Sequence, residues 1–325
     1  MRILVTGGAG YIGGFTVRRL LAKGHTVTVF DNLTAGHRAA VPPDGLVVGD
    51  LRDIDHLDHQ LVVNRIEAVV HFAASACVGE SVTNPSKYYQ NNLLNSLNLL
   101  ERVRRHDIRR FVFSSTCAAY GDPEKLPLTE DHPQRPVSPY GHTKLAFEFM
   151  LRDYSAAYGI GFAALRYFNA AGASVDGKHG EHHDPETHLI PLVLQVALGQ
   201  RPHIDVFGTD YPTPDGTCVR DYVHVEDLAE AHLLALEKMT PGVGVAFNIG
   251  TGTGNSVREV IRVCAEVTGK TIAVRESPRR AGDPPVLVAG ADKIRGELGW
   301  SPKFPDLRSI VETAWDWHRS HPKGY

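Results

Sequence analysis

Tyr140 and Lys144 stand four residues apart in a run that reads as the start of a helix, so both side chains fall on one helical face. A phenol ionises at about pH 10. A nearby cation favours its phenolate, and a phenol poised between the two forms can act as base and then as acid. Upstream, Ser114, Ser115 and Thr116 close a run that reads as a strand and bring hydroxyls to its end. A Tyr and a Lys so spaced are by themselves an ordinary surface pair. A second pattern changes that reading: Gly7, Gly10 and Gly13 lie between the first strand-like run, Arg2 to Thr6, and a helical stretch through Leu20. Glycine at such points permits a tight turn, close approach of a phosphate and close packing of helix on strand, and the helix start points amides at a pyrophosphate. Asp31, 18 positions beyond Gly13, ends the second strand-like run, where a carboxylate can grip an adenosine ribose diol and repel a 2′-phosphate. It could equally initiate the turn into Asn32. The residues therefore point to NAD, whose positively charged nicotinamide would further lower the Tyr140 pKa.

These groups need a frame. Ile3 to Val5, Thr26 to Phe30, Leu46 to Val48, Ala68 to Phe72, Phe111 to Ser114 and Gly161 to Arg166 are short apolar runs, as in parallel strands buried on both faces. Amphipathic stretches separate them, such as Ser86 to His106 with Leu93, Leu97, Leu100 and Val103 at helical spacing. Repeated βα units imply an α/β fold with a doubly wound parallel sheet. After Asn169 the alternation stops, and helices over Leu189 to Leu198, Val225 to Met239, Ser256 to Thr268 and Asp306 to His318 read as a smaller α/β substrate lobe. The expected division is 1–170, with the chain returning later, and 171–325.

The chain has 325 residues, 42% hydrophobic and 22% charged, with a net charge of −3. That composition lacks the basic excess of a nucleic-acid binder. The longest apolar stretch, near Val69 to Val78, is too short to span a membrane. A strand-like run directly after Met1 leaves no room for an export signal, and Cys77, Cys117, Cys218 and Cys264 are too far apart for a disulfide framework or a zinc pair. A cytoplasmic protein is expected.

The motifs together resemble the UDP-glucose 4-epimerases, end to end. They are Val5-Thr-Gly-Gly-Ala-Gly-Tyr-Ile-Gly13, Asp31-Asn-Leu33, Gly49-Asp-Leu51, His71-Phe-Ala-Ala74, Val78-Gly-Glu-Ser81, Tyr88-Tyr-Gln-Asn-Asn92, Ser138-Pro-Tyr-Gly141, Leu165-Arg-Tyr-Phe-Asn169, Val219-Arg-Asp-Tyr-Val-His224 and His321-Pro-Lys-Gly-Tyr325. The resemblance implies a Rossmann sheet, NAD held as a prosthetic group, and inversion of the C4 hydroxyl of a UDP-hexose through a 4-keto intermediate. It implies catalytic roles for Thr116, Tyr140 and Lys144. Cofactor contacts fall on Gly7, Gly10, Tyr11, Ile12, Gly13, Asp31, Asn32, Asp50, Leu51, Phe72, Ala73, Ala74, Asn91 and Phe168 as well as Tyr140 and Lys144. UDP-sugar contacts fall on Asn169, His188, Leu189, Phe207, Arg220, Arg280, Asp283 and Leu287 as well as Thr116, with Arg220 and Arg280 suited to diphosphate. His188 stands where an asparagine is common in the family. A homodimer is implied through the helices near Ser86 to His106 and Tyr140 to Tyr158.

A sugar-nucleotide dehydratase would need an Asp-Glu pair after the threonine, where Cys117 and Ala118 stand. A simple dehydrogenase or a non-catalytic NAD-sensing module stays open; turnover of UDP-sugars separates them. Ala76, Ala118 and Leu287 stand where some relatives carry lysine, threonine and tyrosine. They leave UDP-glucuronate or a UDP-N-acetylhexosamine as alternatives to UDP-glucose and UDP-galactose. The tract His179 to Asp184, with His188, reads as a solvated loop bordering the substrate site. No metal is expected there, because adjacent His182 and His183 lack the i, i+4 spacing of a zinc helix.

Overall fold

The computed structural model describes residues 1–280 and 282–325. In chain order the first elements are β1 (Arg2–Thr6), α1 (Tyr11–Ala22), β2 (Thr26–Asp31), β3 (Leu46–Val48), α2 (Ile54–Val63), β4 (Ala68–His71), α3 (Val78–Thr83) and α4 (Pro85–Tyr88). A π-helical turn, Tyr89–Leu94, leads into α5 (Asn95–Arg105), β5 (Arg110–Ser114), α6 (Pro139–Tyr158), β6 (Gly161–Tyr167) and β7 (Asn169–Ala171). Then come α7 (Leu189–Ala197), β8 (Ile204–Phe207), β9 (Val219–His224), α8 (Val225–Lys238) and β10 (Gly244–Ile249). The chain finishes with β11 (Gly254–Ser256), α9 (Val257–Thr268), β12 (Val274–Ser277), β13 (Val286–Leu287), α10 (Asp292–Leu298) and α11 (Leu307–Ser320).

Seven parallel strands form one sheet in the order β10-β6-β5-β4-β1-β2-β3. Each strand sends alternate residues to opposite faces, because the strand period is two. Ile3, Val5, Val70, Val112 and Leu165 join one core with Val17 and Leu20 of α1 and Leu228 and Ala231 of α8. Leu4, Val69, Phe111, Phe113 and Ala164 join the other with Leu57 and Leu61 of α2, Leu99 and Val103 of α5, and Phe147 and Leu151 of α6. Both faces are covered, as the continuous apolar runs require.

Two expectations need correction. The stretch Ser86 to His106 is not one helix. The π-helical turn interrupts it where Asn92 turns inward: its Oδ1 accepts from Ser75 N at 2.8 Å and its Nδ2 donates to Ser75 O at 2.9 Å. Such a bulge re-aims side chains at a site. The second correction concerns Val225 to Met239, read as part of the smaller lobe. It is α8, packed on α1, and the strand after it, β10, forms the edge of the large sheet beside β6. The remaining smaller lobe has its own core, built from Val193 and Leu194 of α7, Val260 and Cys264 of α9, and Ile310 and Val311 of α11. It sits over short sheets, β11-β9-β13 with β7 joined to β9, and β12-β8. Among the described residues no helix is long and apolar enough to cross a membrane, and the four cysteines are free thiols.

Candidate active site

The sheet order reverses between β1 and β4, so their carboxyl ends open a crevice, the usual ligand position in such sheets. Gly7 and Phe72–Ala73 face each other across it. Gly7 has φ +70°, and a Cβ there would lie 2.5 Å from Ala73 N; a Cβ on Gly13 would collide with Gly7 O. Larger residues at either place would push the turn apart. The first-turn amides of α1, at Tyr11, Ile12 and Gly13, have no carbonyl one turn back to meet and face the crevice as an anion site. Asp31 ends β2 with its Oδ2 accepting from Ala9 N at 2.9 Å and its Oδ1 from Leu33 N at 2.8 Å, so it also braces the glycine turn. Asn32 donates to Asp50 Oδ2 at 2.9 Å, and Arg52 holds the Asp50 carboxyl down at about 2. Leu51 is buried beside them. Asn91 donates to Ser75 Oγ at 3.1 Å, just beyond Ala74. A glycine cradle that any Cβ would fill, ringed by unpaired helix amides and ending on a carboxylate, fits a dinucleotide.

Thr116, Tyr140 and Lys144 converge at the end of β5. Ser138 caps α6, its hydroxyl accepting from Gly141 N at 3.2 Å, which fixes where the helix starts and so where Tyr140 and Lys144 point. Lys144 is 4% exposed and donates to Ser114 O at 2.7 Å; its Nζ lies 5.9 Å from the centre of the Tyr140 ring. Burial pulls the Lys144 ammonium down to about 7. The Tyr140 phenol departs from expectation: burial, reinforced by Tyr167, pushes it up, and the hydrogen bond with Thr116 opposes this. An additional positive charge beside the phenol is therefore needed to ionise it near neutral pH.

The expected substrate residues line the second lobe's side. Asn169 donates to Asp221 O at 3.2 Å. Arg280 lies 4.0 Å over the Phe207 ring. Arg220 is ion-paired with Asp283, and its own β9 position is opposite Leu287 of β13. Leu287 and Cys117 both pack against Tyr120, Leu128, Phe168 and Ala289, which brings Leu287 next to the Thr116 turn. Leu189 opens α7, and His188 is its N-cap residue. The imidazole of His188 contacts acid: Nδ1 lies 2.9 Å from Glu186 and 3.0 Å from Glu181. The solvated-loop reading of 179–184 is corrected for His179 to Glu181, which are buried, while Asp184 and His188 are exposed. His179 is 1% exposed against Phe15 and Tyr325, and the Glu181 carboxylate is buried too, because Trp317 and the C-terminal Tyr325 fold over the loop.

One part of the site went unread in the sequence. Glu148, one further turn along the Tyr140–Lys144 face, accepts from Ser115 Oγ at 2.6 Å and pairs with Arg166 of β6 through Nε at 2.9 Å and Nη2 at 2.5 Å. Arg166 also donates to Tyr120 OH at 2.9 Å, and Tyr120 donates to Asn248 at 2.6 Å. This buried network fastens β5, α6, β6 and β10 beneath the Thr116 turn. The spacing Tyr140, Lys144, Glu148 and an arginine inside an apolar strand were its two available signals.

Residues 3–250 match the NAD dependent epimerase/dehydratase family. The chain belongs to that family. It is 52% identical over 326 residues to the UDP-glucose 4-epimerase of Halalkalibacterium halodurans, covering 100% of this chain and 98% of that protein. A crystal structure of a UDP-glucose 4-epimerase superposes with TM-score 0.96 at 47% identity, covering 100% of this chain and 99% of that one. The UDP-glucose 4-epimerase from Brucella ovis in complex with NAD superposes with TM-score 0.93 at 47% identity, covering 97% of each chain. Membership makes NAD the cofactor of this epimerase/dehydratase site, in agreement with the cradle described above.

Proposed function

We propose that this chain is a cytoplasmic UDP-hexose 4-epimerase that interconverts UDP-glucose and UDP-galactose. The observation that carries the reading is the turn after Thr116. The family includes dehydratases, which eliminate water with an acid/base pair; here Cys117 and Ala118 follow, and burial pushes the Cys117 thiol up to about 12. Neither can move protons near neutral pH. What is left is Tyr140, one acid/base group suited to one reversible alcohol oxidation.

NAD, when bound, supplies reversible hydride acceptance at the sugar C4. The protein supplies the rest. Tyr140 as phenolate takes the O4 proton and later returns it, while Thr116 hydrogen-bonds the same oxygen. Lys144, anchored on Ser114 O, holds its amine beside the phenol, and the positive nicotinamide of bound NAD would supply the additional charge that favours the phenolate. Arg220 and Arg280 suit the UDP diphosphate, which holds the nucleotide while the 4-keto sugar turns its other face. Inversion follows without net oxidation.

A coupled assay of UDP-glucose and UDP-galactose tests this. Tyr140→Phe is expected to retain NAD and the fold while turnover drops by roughly a thousandfold or more; activity within about tenfold of the parent would refute the assignment. Leu287 beside the Thr116 turn, with Ala118 on it, supports a second reading in which UDP-N-acetylhexosamines, and less readily UDP-glucuronate, are also used. Comparing kcat/KM across these sugars for the parent and Leu287→Tyr decides it. An unchanged profile restricted to glucose and galactose forms removes the wider reading.

Homodimerisation is part of the proposal. Tyr89 and Leu94 on the π-helical turn, and Phe149 and Tyr158 on α6, are exposed large apolar side chains on the two segments expected to pair.

A further inference from the structure

Outside the sheet crevice, the strongest cluster of ligating groups lies in the loop that precedes α7. Glu181, His183, Glu186 and His188 each bring one donor atom into a set whose members all lie within 4.8 Å of one another. The nitrogen–oxygen separations are 3.4 Å from His183 Nδ1 to Glu181 Oε1 and 3.5 Å to Glu186 Oε2, and 3.0 Å from His188 Nδ1 to Glu181 Oε1 and 2.9 Å to Glu186 Oε1. Donors placed about 2.0–2.1 Å from a shared tetrahedral ion stand about 3.3–3.4 Å apart, so the separations to Glu181 Oε1 and from His183 to Glu186 Oε2 are close to the edges of such a site.

Further observations fit a shared ion. His183 Nδ1 is buried and, among the described residues, makes no hydrogen bond of acceptable geometry, although two carboxylates flank it. His179 Nε2, His182 Nδ1 and His232 Nε2 are also without a partner among the described residues, but of these ring nitrogens His183 Nδ1 is the one set between two carboxylates. The Glu181 and Glu186 side chains are 4% and 5% exposed, and two carboxylates taken from water this close together need positive charge, which the two imidazoles supply when protonated and a divalent ion would supply in place of those two protons. The loop is also held from outside. Trp317 Nε1 of α11 donates to Glu181 O at 3.1 Å, while within the loop Glu186 Oε1 accepts from Thr187 N and His188 N at 2.7 Å and 2.8 Å. The donors are thereby preset instead of being gathered by the ion.

We propose that Glu181, His183, Glu186 and His188 bind one divalent transition-metal ion of the zinc class. Two imidazoles select such an ion over magnesium or calcium, which take oxygen donors. Four protein donors leave no open position for substrate, so the role is structural. The ion staples the loop to the start of α7 and to the glycine turn, where the Tyr11 ring meets His183 edge-on at 6.3 Å and its hydroxyl donates to Gly172 O at 2.6 Å. The expectation of a metal-free loop rested on helical spacing; a turn brings the four together without a helix.

The test uses full-length, tag-free protein dialysed against zinc sulfate and then against metal-free buffer. In parallel, magnesium and calcium chloride are used with the same protein. Elemental analysis is expected to find about one zinc per chain and neither of the other ions. Cobalt-loaded protein should show the intense visible bands of tetrahedral coordination. His183→Ala and Glu186→Gln should weaken zinc binding by about 100-fold in competition with a chromophoric chelator, with the exposed His59→Ala unchanged. Less than about a tenth of an equivalent of zinc in the loaded parent overturns the proposal, and so does equal retention by the parent and a folded His183→Ala protein. If the variants do not fold, zinc stoichiometry and the cobalt spectrum of the parent still decide it.

Discussion

Replacing Glu148 by Gln keeps the shape of the side chain but removes the charge that Arg166 faces. Both groups are almost fully buried, with side chains 1% and 2% exposed. The parent carboxylate accepts from Ser115 Oγ, from Arg166 Nε and from Arg166 Nη2. A glutamine amide must turn an NH2 toward one of these donors, setting donor against donor while the guanidinium keeps its charge in a dry site. Breaking one side of a buried pair costs about 3–5 kcal/mol. That is a large share of the roughly 5–15 kcal/mol that separates folded from unfolded protein. With a urea m-value of about 3 kcal/mol per molar, the midpoint should fall by about 1 M or more. Urea titration followed by tryptophan fluorescence measures it, with kcat from the coupled assay beside it, since Ser115 lies between Ser114 and Thr116. The double variant Glu148→Leu with Arg166→Met should recover much of the lost midpoint, because an apolar pair has no unpaired charge. A single-variant midpoint within about 0.3 M of the parent, or a double variant no better than the single, would refute the reasoning.

Two further outcomes are expected. Lys144 ionises at about 7 when folded, below its ordinary 10.5, so the unfolded chain binds more protons between those values and stability rises with pH across that window. From pH 7.5 to pH 9 the parent should therefore gain about 2 kcal/mol relative to Lys144→Met, read as diverging urea midpoints without added NAD; parallel midpoints would show that burial does not depress this lysine. Leu94→Glu with Phe149→Glu, at positions 54% and 48% exposed, should convert a sedimenting dimer into monomers without unfolding it; a dimer that persists, or a parent that is already monomeric, rejects the pairing surface.

The glycine turn was legible because its requirements are local. Gly7 needs a positive φ, Gly13 meets the carbonyl of Gly7, and both constraints are written within a few residues. Tyr140 and Lys144 were legible for the same reason, one helical turn apart. Glu148 and Arg166 were not, since their partnership depends on α6 lying across β6, a relation no short window contains. The direction of the Tyr140 shift was misjudged because burial is a property of the packed site, and burial opposes the charge effect the sequence suggested. A return of the chain to the first unit was expected, but not that α8 and β10 make it, because chain order and spatial order part company after Asn169.

That return of the chain bears on how the molecule is made. Until Gly244–Ile249 has left the ribosome, β6 presents an unpaired edge, with the apolar β5–β6 ladder behind it. A nascent chain ending near residue 170 therefore carries six-sevenths of a sheet and a bare hydrogen-bonding rim, the feature that invites strand exchange between neighbouring chains. The segment that forms most of the smaller lobe's first half, β7 to β9, must be synthesised inside this interval. Truncation at the apparent lobe boundary would thus release a sticky half-product and not a free-standing nucleotide binder.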